Sequence, residues 1–173
     1  MRSLNLFQAV AIVVALVAVI WDLRTRRIPN VLTFSAAIAA IAVHGYLGGW
    51  TAAGTSLLGW LVGVAFFLPL FALGGMGAGD VKLLAALGAW VGPAATVWVA
   101  LFSAIAGGVL GVVVAVSTNY LTQAIVNIFW MFRFWRAAGP RPVPEVTLAT
   151  HKGPRLAYAV PVFAGLMVAL WLQ

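Results

Sequence analysis

The stretch GGMGAGDVKLLAALGAWVG, residues 74–92, sets an aspartate between a glycine-rich run and an apolar segment that stops at Gly92-Pro93. From Val81 the apolar part, VKLLAALGAWV, is only about 11 residues long, which at about 1.5 Å per residue is roughly half a bilayer. A helix this short starts inside the membrane, unless Gly92-Pro93 is a kink and the helix continues beyond it. In both cases Asp80 stands at the edge of a membrane-embedded segment.

Working outward, apolar runs of spanning length flank this stretch. Residues 52–73 form one span, with Gly59 and Gly63 permitting close helix contact, and residues 94–117 another, with Gly107, Gly108 and Gly111. Upstream, residues 5–21 form a first span closed by Asp22 and the cluster Arg24, Arg26, Arg27. Because the strong charge follows the apolar core and no clear cleavage site appears, this segment reads as a retained helix, not a signal peptide. Residues 28–48 are a second span, with Pro29 suited to a helix's first turn, closed by the turn GYLGGW. Residues 156–172 are the last. Between them, NYLTQAIVNIFWMFRFWRAAG reads as a helix lying in the membrane interface and PRPVPEVTLATHKGPR as a Pro-rich loop, together about 119–155.

The expected fold is therefore an all-α, polytopic membrane bundle of about six transmembrane helices, one domain over residues 1–173. Composition agrees: the 173 residues are 64% hydrophobic and 8% charged, with a mean hydropathy of +1.09, far from a soluble domain. No cysteine occurs, which excludes disulfides and Cys-based metal sites. The net charge of +7 is an orientation signal in such a chain, so nucleic acid is not an expected partner and the lipid bilayer is. On the six-span topology Arg24, Arg26, Arg27, Lys82, Arg133, Arg136, Arg141, Lys152 and Arg155 share one side, and Arg2 alone takes the other. The crowded side is then cytoplasmic, and Trp21, Trp50, Trp130, Trp135 and Trp171 fall at the interfaces as anchors.

The acids are Asp22, Asp80 and Glu145, and Glu145 sits in the Pro-rich loop. Asp22 and Asp80 end up at helix ends on the same face, where a folded bundle is able to bring them together. Two adjacent carboxylates share a proton, so one serves as base toward a water and the other as acid toward a carbonyl. That chemistry needs no cofactor or metal, and none is expected. Gly77 and Gly79, ahead of Asp80, leave the backbone free to bend and admit an extended peptide. The competing reading makes Asp22 an interfacial residue paired with arginines and Asp80 the N-cap of a helix beginning at Val81. Lys82, His44 and His151 read as an orientation signal and as ordinary packed or solvated histidines.

The segment GGMGAGDVKLLAALGAWVG resembles the G-x-G-D signature of the type IV prepilin leader peptidases, and DLRTRRIPN is similar to the segment around their first catalytic aspartate. GPRLAYAVPVFAGL is similar to the family's final span, with Ala157 where a proline is frequent. The resemblance implies that Asp22 and Asp80 are the catalytic pair, that Gly77 and Gly79 are the motif glycines, and that the substrate is a prepilin or pseudopilin cut just after a glycine at the cytoplasmic face of the bacterial inner membrane. Other pilus assembly proteins are implied as further partners. Long members of the family carry paired Cys-x-x-C motifs in a methylating region. Their absence here resembles the short form that accompanies Flp pili, for which no N-methyltransferase activity is expected. A small ion-coupled transporter, or a pilus or secretion assembly subunit, is the alternative the residues leave open.

Overall fold

A computed structural model of the chain describes residues 5–139, 141 and 156–172. It contains six helices: α1 Leu6–Thr25, α2 Asn30–Ala72, α3 Ala78–Val91, α4 Pro93–Ser117, α5 Leu121–Ala138 and α6 Ala159–Trp171. The fold is all-α, and α1, α2 and α4 are each long and apolar enough to cross a membrane. Glu145, His151 and most of the Pro-rich loop lie outside the described residues.

The expected spans 28–48 and 52–73 emerge as the two arms of α2, which is 43 residues long and interrupted only at Gly49, with φ 70° and ψ −166°. A side chain disfavours that conformation, so one glycine does the work expected of the longer GYLGGW turn. The contacts of α3 show what the break achieves. Along α3, Gly79 meets Ile28, Lys82 bonds Asn30 and Trp90 lies beside His44, so the first arm runs with α3. Ala85 meets Gly63, Gly88 meets Gly59 and the Ser56 hydroxyl donates to the Ala89 carbonyl at 2.8 Å, so the second arm runs against it. The chain reverses at Gly49.

Helix α3 is accordingly the centre of the bundle: Leu83 through Ala89 are all buried. At Gly92, φ is 83°, and Pro93 opens α4, so this pair is a break and not a kink. Helix α1 packs on α3 with Ala11, Ala15 and Ala18 fully buried. On the far flank α4 and α6 run antiparallel, because Gly107 faces Tyr158 while Ser103 and Val99 face Gly165. Counting both arms of α2, the chain traverses the bundle six times. Helix α5 leaves from the Ser117 end of α4, and none of residues 121–137 is buried, as suits a helix lying against a membrane surface.

Candidate active site

At one end of the bundle the last turn of α1, the first turn of α3 and the start of α6 surround a cavity of about 480 Å³, within the range of roughly 300–1,000 Å³ common for ligand pockets. Its lining includes Asp22, Gly77, Gly79 and Asp80, the four positions singled out in the sequence, together with Arg26, Arg27, Asn30, Lys82 and Tyr158.

Asp22 is 6% exposed. It occupies the last turn of α1, and the Arg26 N–H closes that helix by donating to its backbone carbonyl at 2.8 Å, with Arg26 in the left-handed region at φ 54°. Its side chain reaches away from its own helix: Oδ2 accepts from the backbone N–H of Ala159 at 3.3 Å, at the opening of α6. Asp22 thus has a partner on a distant helix.

Asp80 is not an N-cap. Helix α3 starts at Ala78 with Gly77 as its cap, so Asp80 is the third residue of the helix, and its own N–H donates to the Gly77 carbonyl at 3.2 Å. Asp80 precedes the apolar run of α3 and stands outside the spanning segments. Burial, and next the charge of Asp22, push its carboxyl up to about 7, against the opposing pull of the Gly77 N–H. Two carboxylates in one cavity cannot both ionise cheaply.

The glycines serve a different purpose from the bending expected of them. Gly77 has φ −78° and ψ 145°, open to any residue, and Gly79 is helical. What matters is space: a Cβ on Gly77 would stand 3.0 Å from Asp80 Oδ2, and one on Gly79 would stand 3.3 Å from Ile28 Cβ. Both keep the wall beside Asp80 low.

Of the remaining residues, Lys82 donates to Asn30 Oδ1 at 2.9 Å and lies 5.4 Å from the Phe34 ring centre. His44 stacks on Phe7 at 4.2 Å at the other end of the bundle, with Nδ1 2.9 Å from the Ala40 carbonyl, a packed histidine. Tyr158 was not singled out, although it sits beside both carboxylates. Its signal in the sequence was an aromatic residue just ahead of the last apolar run.

The family model for the type IV leader peptidase family matches residues 9–112, a segment that contains Asp22, Gly77, Gly79 and Asp80. Two curated proteins of Burkholderia pseudomallei, from strains 1026b and K96243 and each named prepilin leader peptidase/N-methyltransferase, are 35% identical to it over 99 residues. The match covers 53% of this chain and 32% of each relative, so the chain aligns with about a third of their length. No solved structure matches. With more than half of its length, including the helices that carry both aspartates, matched by that family, the chain belongs to the type IV leader peptidase family.

Proposed function

We propose that this chain is an intramembrane aspartyl endopeptidase that removes the leader peptide of Flp-type prepilins or pseudopilins, cutting after a glycine at the cytoplasmic face of the inner membrane. The observation that carries the reading is the convergence of Asp22 and Asp80 on one cavity in a chain of this family. The names of the two relatives support the substrate class.

In this mechanism Asp80, whose carboxyl holds its proton to about pH 7, donates it to the oxygen of the scissile carbonyl. Asp22 takes a proton from the attacking water as the new C–O bond forms. The tetrahedral species then collapses: the C–N bond breaks, the departing amine takes the proton that Asp22 had received, and one hydroxyl returns its proton to Asp80 as the carbonyl re-forms. The low glycine wall at Gly77 and Gly79 lets an extended backbone lie against Asp80.

The topology supports the same reading. Each of the six traverses is a membrane crossing in this proposal, and α3 crosses with only its apolar part, from Val81 to Val91, because its glycine-rich approach forms the cavity. Arg24, Arg26, Arg27 and Lys82 stand at the aspartate end, and α5, with Arg133 and Arg136, leaves from it, which makes that end cytoplasmic by the positive-inside rule.

The test is cleavage of an Flp-type prepilin by the full chain in detergent, read as release of the leader. Wild type is expected to cleave, and Asp22→Asn and Asp80→Asn are not. Leader removal by either variant at the wild-type rate would disprove the assignment.

A further inference from the structure

The two carboxylates are held in different ways. Asp80 is tied within its own turn by Gly77, whereas Asp22 is tied to a helix 137 positions away, through the Ala159 N–H at 3.3 Å. Ala159 is the first residue of α6, and its N–H has no acceptor within that helix. The bond thus completes the start of α6 and orients Asp22 in one stroke. Its geometry depends on where α6 begins.

Tyr158 fixes that place. Its ring lies in a notch on α4 left by Gly107, where a Cβ would come within 2.6 Å of both Cε2 and the hydroxyl oxygen. Phe67, from the second arm of α2, closes the other side edge-on, with ring centres 5.9 Å apart and planes at 76°. The hydroxyl reaches the Ser103 carbonyl, one turn from Gly107, at 3.4 Å. One residue before Ala159, a rigid side chain is wedged between two helices. A wedge so placed leaves the following N–H little freedom.

We infer that Tyr158 is a positioning residue for the site: seated in the Gly107 notch, it holds the first turn of α6 so that the Ala159 N–H meets Asp22 and aims that carboxylate into the cavity. The kinetic part of this inference rests on the peptidase reading, and the geometric part does not. Gly107, on α4 and not among the residues lining the cavity, becomes a position where one methyl group disturbs Asp22.

The chain has no cysteine, so an Asp22→Cys/Ala159→Cys pair in the full chain reports their proximity to a short bifunctional thiol reagent. Adding Gly107→Ala or Tyr158→Ala is expected to lower crosslinking severalfold, and adding Tyr158→Phe, which keeps the ring, is expected to leave it. With both native residues restored at positions 22 and 159, Gly107→Ala is expected to lower kcat for prepilin cleavage about tenfold and to change KM less than about twofold. Wild-type crosslinking in the Gly107→Ala and Tyr158→Ala backgrounds, or an unchanged kcat in Gly107→Ala, overturns the inference. Should Gly107→Ala fail to fold, Tyr158→Ala, which removes atoms instead of adding them, decides it. A wild-type chain that cleaves no prepilin defeats the peptidase reading and leaves the crosslinking comparison to judge the seat of α6.

Discussion

Gly59 and Gly88 put the second arm of α2 in backbone contact with α3: a methyl group on either would collide with the carbonyl oxygen of the other. Neither collision is relieved by a rotamer change, since both partners are main chain. Close approach of this kind replaces the hydrophobic drive that lipid denies to helix pairs.

Gly59→Ala and Gly88→Ala should each destabilise the bundle by about 1–3 kcal/mol, the usual range for overpacking a dense core. Gly54→Ala, on the same arm with nothing within 4 Å of its would-be Cβ, should be neutral or slightly stabilising. Thermal unfolding of the three variants in one detergent checks the contrast, and equal losses in all three would contradict it.

Gly49→Ala separates backbone strain from collision. Nothing lies within 4 Å of a Cβ there, but φ is 70°, so the expected loss is about 1–3 kcal/mol and purely conformational. An unchanged melting temperature would mean that the reversal of α2 does not need glycine.

The dyad predicts a pH limb. Asp80 must keep its proton to act as acid, and its carboxyl is pushed up to about 7, so kcat/KM should fall about tenfold per pH unit above that value. Deprotonation of the acid sets this limb, while the base sets the acidic one, and the midpoints belong to the pair. A profile flat from pH 6 to about 9 would be incompatible with Asp80 as the acid.

The same shift has a cost in stability. Because the carboxyl of Asp80 is raised in the folded state above its ordinary value of 3.8, the native protein binds the proton more tightly than the unfolded chain. Stability is therefore greatest below about pH 4 from this group alone and falls as pH rises toward about 7. Asp80→Asn should raise the melting temperature at pH 8, with the gain shrinking toward pH 4. A lower melting temperature for Asp80→Asn at pH 8 would show that burial and Asp22 do not strain this carboxyl.

Removing either carboxyl from the pair should lower kcat by at least about a thousandfold, as losses within a cooperating catalytic unit do. The double variant should be little worse than either single one. Additive losses in the prepilin assay would mean that Asp22 and Asp80 do not act together.

Much of the fold was legible because apolar run length carries most of the information in a membrane chain. The runs placed α1, both arms of α2, α3, α4 and α6, while whether the Gly92-Pro93 pair ended α3 or only kinked it stayed open until the fold. Local chemistry at the helix starts was less legible. Asp80 looks like an N-cap in sequence, but Gly77 takes that place and α3 gains Ala78 and Gly79 ahead of it. The reversal at Gly49 was hidden within a longer glycine-rich turn. Hardest to read was the bond from Ala159 to Asp22, because a backbone donor leaves no residue-type signature and its partner lies at the opposite end of the chain. Asp22 and Asp80 stood out in the sequence; the contact that α6 makes with Asp22 did not.

That bond also sets an order of events during synthesis. The segments bearing Asp22 and Asp80 leave the ribosome well before α6, so a growing chain holds both acids while the donor for one of them has yet to be made. A carboxylate oriented by a helix made after it takes up its final setting only once that helix has docked.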